Sequence, residues 1–144
     1  QQSQRYVKFK PEEISYVTPP KIEEDPEARE IYTEVMAQLA SAYDKLVKKD
    51  IAPEDARFVL PNAATTNIVV TMNARELMHF IRLRSCERTQ WELREVSIEM
   101  LKLAKEKAPT LFHDAGPGCV IGPCPEGKLT CGNIVEVRAK FKKL

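Results

Sequence analysis

The sequence lacks long apolar runs, an excess of charge of either sign, and an evident internal repeat. Apolar runs such as residues 68–70 are far too short to span a bilayer, and the first residues do not resemble a secretory signal. With 22 Lys and Arg against 21 Asp and Glu, the formal net charge is only +1. Overall charge therefore gives no reason to expect nucleic-acid or membrane binding, and we expect a cytoplasmic protein whose basic chemistry is local.

The four cysteines do not follow a familiar disulfide or zinc pattern. At 144 residues, the chain is long enough to bury the core of a single domain, residues 1–144, without covalent support. It is also charged and larger than the disulfide-dense secreted domains, so we predict reduced thiols. The spacing Cys119-x4-Cys124-x6-Cys131 differs from paired Cys-x-x-Cys zinc sites, and we predict no metal site. A zinc-stabilised interaction domain, which would also use Cys86, is a minor alternative.

Periodicity predicts mainly helices. Asp25 and Pro26 suit the cap and first position of a long amphipathic helix that ends near Lys49. A short helix is predicted within residues 51–61, and another helical segment runs from about residue 90 to Lys107 before Pro109.

Other segments read as strands or connections. Residues 5–9 and 134–141 alternate polar and apolar side chains like short strands, whereas residues 65–71 fit either a strand or an irregular segment. Residues 11–25 read as an exposed connection, and residues 115–133 as a loop rich in Cys, Gly and Pro. We therefore predict a mixed α/β (α+β) fold in which long helices pack with a small sheet.

Residues 71–92 contain arginines at unexpected positions. The segment can be interpreted as one helix with Asn73 as its cap and Glu76 completing a capping-box pair. One side of this helix would carry the cationic residues Arg75, His79 and Arg82. The opposite side would carry the apolar residues Leu77, Phe80, Ile81 and Trp91. Arg84 and Arg88 fall within the apolar arc. A buried guanidinium is costly unless it is paired, so the pattern predicts an anionic ligand, with extension of Arg84 to solvent as the alternative.

Three segments identify a family resemblance: Ser3-x-Arg5-Tyr6, Ala56-Arg57-x-Val59-Leu60-Pro61, and Thr71-x-Asn73-Ala74-Arg75-x-x-x-His79-Phe80-x-x-x-Arg84. Their order and spacing, followed by Gln90-Trp91-Glu92, resemble the flavin-dependent thymidylate synthases over most of the chain up to Pro109. The resemblance implies a homotetramer with active sites shared between subunits. It also implies reductive methylation of dUMP to dTMP, with FAD as cofactor and methylenetetrahydrofolate and NADPH as co-substrates.

In that family the first segment ends a longer motif, Arg-His-Arg-x-x-Ser-x-Asn-x-x-Ser-x-Arg-Tyr. Only its tail, from Gln1 onward, stands in this sequence. We therefore expect the chain to be the later part of such an enzyme, with its N-terminal part absent. The missing Arg-His-Arg contributes flavin contacts in the family. A non-catalytic fragment that binds nucleotide phosphate or mediates oligomerisation is accordingly the alternative function.

The resemblance also implies residue roles. The dUMP contacts correspond to Gln1, Gln2, Ser3, Gln4, Arg5, Arg57 and Arg84, and the FAD contacts to Gln1, Asn73, Ala74, Arg75 and His79. Arg84 matches the catalytic arginine that binds uracil and favours its ionised form, which suits a planar guanidinium that keeps its proton. Cys86 is then not required as a nucleophile. Arg88 stands where the family commonly has His, and phosphate, folate and carboxylates are its candidate ligands.

Overall fold

The computed structural model describes Tyr6, residues 8–10 and residues 13–144. The chain forms two compact units, Gln1–Val70 and Thr71–Leu144, and each is described by itself. None of the helices in the described part combines the length and apolar character needed to cross a membrane.

The first unit is built around one long helix. Its helices are α1 (Pro20–Glu23), α2 (Pro26–Lys48) and α3 (Pro53–Ala56), and α3 continues into a 3-10 turn, Arg57–Val59. The Asp25 carboxylate accepts hydrogen bonds from the backbone N–H groups of Glu27 and Ala28, at 3.0 and 3.1 Å. The predicted cap and long helix are therefore confirmed, and α2 buries Ala40 and Tyr43.

The predicted small sheet is wrong for the described residues, whose recorded β pairing is one isolated antiparallel bridge between Tyr16 and Ala64. Beside it, the Val17 N–H donates to the Ala63 carbonyl at 3.0 Å. Residues 65–71 are irregular. The strand predicted over residues 5–9 lies partly outside the described residues, and Tyr6, Lys8 and Phe9 are not in a strand.

The second unit packs four helices around an apolar core. They are α4 (Ala74–Arg84), α5 (Trp91–Lys107), α6 (Pro109–Phe112) and α7 (Ile134–Lys142). The buried core residues are Ile81, Ile98, Leu101, Phe112, Cys119, Val137 and Phe141. Core formation therefore joins all four helices and the loop that precedes α7.

Helix α7 replaces the strand predicted over residues 134–141. Val137 and Phe141 are buried and Ile134 packs against the core, whereas Val135 is 77% exposed. The spacing of the three inward residues matches a helix rather than a strand. A lone strand would leave its backbone groups without partners, whereas a helix satisfies them within the segment.

Residues 113–133 connect α6 to α7 and contain one 3-10 turn, Gly127–Leu129. The Arg138 guanidinium of α7 holds the first half of this segment. Its Nε donates to the Cys119 carbonyl and its Nη2 to the Gly122 carbonyl, both at 2.8 Å. Gly116 packs closely here, because a Cβ at this position would lie 2.9 Å from Val120 Cγ2.

Candidate functional site

The candidate site is centred on α4, which begins where the sequence predicts. The Asn73 side chain accepts a hydrogen bond from the Glu76 N–H at 3.0 Å and thereby caps the helix. Ala74, the first helical residue, is half-buried and packs against the core. Asn73 and Ala74 thus fix the start of a helix whose unpaired N–H groups attract negative charge.

The faces of α4 separate apolar from cationic side chains. Leu77, Met78 and the fully buried Ile81 face the core. The opposite face carries Arg75, His79 and Arg82, which are exposed and lack an ion-pair partner among the described residues. Because residues three or four apart are neighbours on a helix, these cations form one surface, hereafter the α4 cationic face.

Arg84 lies at the other end of α4, roughly 14 Å along the helix axis from Arg75 at 1.5 Å per residue. It is the last helical residue and is exposed, so the prediction that it faces the core is wrong. Ser85 follows as the C-cap residue, and its buried hydroxyl donates back to the Ile81 carbonyl at 2.6 Å. No acidic side chain in the described part of the chain pairs with Arg84.

The turn after α4 separates it from α5, so the interpretation of residues 71–92 as one helix is also wrong. Arg88 lies in this turn and is exposed, and Trp91 begins α5. Glu87 anchors the turn through its carboxylate, 3.1 Å from Arg94 Nη1 and 3.5 Å from Lys140 Nζ. The Arg94 guanidinium also donates to the Glu87 carbonyl at 2.9 Å. These contacts hold the turn between α5 and α7.

The remaining candidate residues belong to the first unit. Arg57 begins the 3-10 turn after α3 and is half-buried. Its Nε donates to the Glu54 carbonyl at 3.1 Å, and its guanidinium carbon lies 5.5 Å from the centroid of the Phe58 ring. Gln1, Gln2, Ser3, Gln4 and Arg5 lie outside the described residues.

A family model described as thymidylate synthase complementing protein matches residues 1–110 of this chain. The chain belongs to the thymidylate synthase complementing protein family. The match includes every segment on which the resemblance was based, as well as α4 and the cationic residues that it carries.

Three curated relatives of this family member share the name flavin-dependent thymidylate synthase. The protein of Geobacter sulfurreducens is 53% identical over 144 residues, covering all of this chain and 62% of the relative. That of Clostridium tetani is 45% identical and covers 96% of the chain and 61% of the relative. That of Pyrococcus furiosus is 43% identical and covers all of the chain and 62% of the relative. The chain thus spans about three fifths of the length of these relatives.

In this family member the structure brings some predicted residues together and leaves others apart. Asn73, Ala74, Arg75 and His79 share the first half of α4, whereas Arg84 ends the helix. Sequence reasoning grouped Arg82 with Arg75 and His79 but did not assign it to the site, although its position one turn after His79 places it on the α4 cationic face.

Sequence reasoning also missed two cavities in the second unit. One, of about 760 Å³, is lined by Lys102 and Lys105 of α5 and by Arg138 and Lys142 of α7. Its cations are spaced three or four residues apart on each helix, a signal that becomes readable only once residues 134–141 are recognised as helical.

The other cavity, of about 220 Å³, is lined by all four cysteines of the chain. Each of them is a free thiol. Cys119 is buried, and this burial is the main cause that raises the pKa of its thiol; the charges of Cys124, Cys86 and Cys131 add to the rise.

Proposed function

We propose that this chain carries part of the active site of a flavin-dependent thymidylate synthase. Such an enzyme converts dUMP to dTMP, taking its carbon from methylenetetrahydrofolate and using FAD and NADPH. Family membership and the shared name of the relatives support this function. The observation that carries it is the α4 cationic face, whose exposed arginines and histidine have no acidic partner among the described residues.

The first half of α4 fits the anionic part of FAD. Asn73 leaves other N–H groups of the first turn available, and an exposed guanidinium and imidazole lie one turn apart at Arg75 and His79. Helix N-termini favour anions, and arginine binds phosphate oxygens through two parallel hydrogen bonds. We assign Asn73, Ala74, Arg75 and His79 to FAD binding. When bound, FAD supplies the redox chemistry that no side chain provides.

Arg84 is assigned to uracil activation. Its guanidinium has donors in a fixed fork and keeps its proton in proteins. Placed at the edge of the pyrimidine, it would stabilise the negative charge that develops when N3 loses its proton, and the ring carbon would become more nucleophilic. Since no carboxylate in the described part neutralises Arg84, its full charge is available to the substrate. This role requires no covalent bond between dUMP and Cys86.

Phosphate binding is assigned to arginines of the first unit. Arg57 is held by the Glu54 carbonyl and the Phe58 ring, and this restraint lowers the entropy lost when it binds an anion. Gln1, Gln2, Ser3, Gln4 and Arg5 complete the proposed dUMP contacts, with Gln1 also near FAD. In the proposed cytoplasmic homotetramer, the segment from Gln1 to Arg5 contributes to the active site of a neighbouring subunit.

The test is a titration of the chain with FAD, followed by flavin absorbance and fluorescence, with and without dUMP. We expect FAD to bind and its spectrum to change when dUMP is added. Arg75→Ala should weaken FAD binding about 10- to 150-fold, since a hydrogen bond to a charged group contributes roughly 1.5–3 kcal/mol. Arg84→Ala should retain the fold and FAD binding but lose uracil deprotonation.

Arg29→Ala is the matched control, because Arg29 is an exposed arginine whose ion pair with Glu23 lies at the surface. It should bind FAD like the unchanged chain. Uracil deprotonation by Arg84→Ala would rule out the proposed role of Arg84. Binding of dUMP without FAD would instead favour a non-catalytic nucleotide-binding fragment.

A further inference from the structure

The cavity of about 760 Å³ in the second unit is lined by parts of α5 and α7, by the start of α6 and by the connection between α6 and α7. Its lining contains no residue of α4, so it is separate from the α4 cationic face. The volume falls within the roughly 300–1,000 Å³ typical of sites for small molecules. The proposed thymidylate synthase chemistry does not use this cavity.

Four cationic side chains line the cavity, and one of them is paired with a carboxylate. Lys102 Nζ lies 2.6 Å from Glu99 Oε1. Lys105 Nζ instead donates to a backbone carbonyl of α7 at 3.3 Å, and the Arg138 guanidinium donates to two carbonyls of the connection. Lys142 has no hydrogen-bond or ion-pair partner among the described residues. Because a carbonyl oxygen carries no formal charge, three of these cations keep their full charge.

The two acidic side chains of the cavity already have basic neighbours. Glu106 pairs with Lys107, with 2.7 Å between Oε1 and Nζ. Asp114 Oδ1 lies 2.8 Å from His113 Nδ1. With four cationic against two acidic side chains, the lining has a net side-chain charge of +2 when His113 is neutral. The cavity therefore favours an anion.

An apolar wall lies in the same cavity as these cations. Ala115, Val120 and Leu144 are half-buried and pack against the core that contains Phe141. Ile121 also lines the cavity but is 70% exposed, so it extends this apolar surface into solvent. Sites for small molecules commonly combine an apolar lining with a few polar or charged groups that fix the orientation of the ligand. The combination here fits a ligand with an apolar part and a negative charge.

We infer that this cavity binds an organic anion that joins an aromatic or alicyclic body to a carboxylate or phosphate group. The apolar wall would bury the body, and Lys105, Arg138 and Lys142 would bind the acidic group. An ammonium group acts as a point charge without a fixed planar geometry, so the lysines suit either acid. Because the cations come from both α5 and α7, the bound anion would connect the two helices.

The test uses 1-anilinonaphthalene-8-sulfonate, an aromatic anion whose fluorescence rises when its rings leave water. We expect the complete chain to bind one molecule of it saturably, and added salt to weaken binding because salt screens exposed charges. 1-Naphthoate and 1-naphthyl phosphate should both displace it, and the tighter competitor identifies the preferred acidic group. Inorganic phosphate and the uncharged 1-naphthalenemethanol should each compete at least about tenfold less well, since each lacks one half of the ligand.

Two matched pairs of variants localise the site. Lys142→Gln removes a cation of the cavity, whereas Lys143→Gln removes the adjacent exposed cation, which does not line it. Ile121→Glu introduces a negative charge into the cavity, whereas Leu129→Glu makes an equivalent change at a 64% exposed position outside it. Lys142→Gln should weaken probe binding about 2- to 5-fold, as expected for one exposed ion pair. Ile121→Glu should weaken it more than about 10-fold, because charge repulsion adds to the lost apolar contact.

Both control variants should bind the probe like the unchanged chain, and far-ultraviolet circular dichroism would verify the fold of all four. Absence of saturable binding, or equal binding within both matched pairs, would overturn the inference. Displacement by 1-naphthalenemethanol as effective as that by 1-naphthoate would refute an anionic ligand. Because the readout uses neither FAD nor dUMP, its outcome is independent of the proposed thymidylate synthase activity.

Discussion

The burial pattern of α5 can be tested by removing two leucines from the same helix. Leu101 is fully buried in the core of the second unit, whereas Leu103, two residues later, is 60% exposed. Leu101→Ala and Leu103→Ala delete the same atoms and change helix propensity equally. Any difference in the free energy of unfolding therefore reports burial rather than chemistry.

The expected difference is large. A buried Leu→Ala substitution costs about 2–5 kcal/mol, because apolar contacts are lost and a cavity remains. An exposed substitution away from special features usually stays within about 0.5 kcal/mol. With a denaturant slope of about 2 kcal/mol per molar urea, a loss of 3 kcal/mol moves the midpoint by about 1.5 M. Against a typical stability of about 5–15 kcal/mol, Leu101→Ala is a major loss.

The assay is equilibrium unfolding in urea, followed by fluorescence. Trp91 is the only tryptophan of the chain and begins α5, so its emission reports the second unit specifically. We expect an unchanged slope in both variants and a lowered midpoint for Leu101→Ala alone. Equal losses in the two variants would refute the assignment of Leu101 to the core face.

The other two predictions concern α7 and the connection before it. Val135→Ala should raise the stability of α7 by up to about 0.5 kcal/mol, since alanine is the better helix former; a decrease in the thermal midpoint would instead favour a strand. Gly116→Ala should cost about 1–3 kcal/mol in urea unfolding, because its Cβ would lie 2.9 Å from Val120 and 3.0 Å from Phe141. Gly122→Ala, whose nearest atom would lie 3.9 Å away, is the matched control, and equal stability of the two variants would contradict this packing.

The candidate site on α4 could be predicted largely from local sequence. Asn73 caps the helix and the α4 cationic face follows from helical spacing, so neighbours along the chain determine both. The exposure of Arg84 could not be predicted in the same way. Helical periodicity placed it on the apolar arc, but the helix ends at that residue, and its side chain lies beyond the core that the arc covers.

The sequence by itself determined the features that depend on near neighbours and on motif order. Asp25 and Pro26 start α2, Pro109 follows the end of α5, and the spaced arginines identify the family. Tertiary structure alone decided whether residues 134–141 form a strand or a helix, because that apolar pattern fits both periods and only the available packing partner distinguishes them. It also decided that four cysteines far apart in the chain line one cavity, since convergence across such separations depends on how the helices pack.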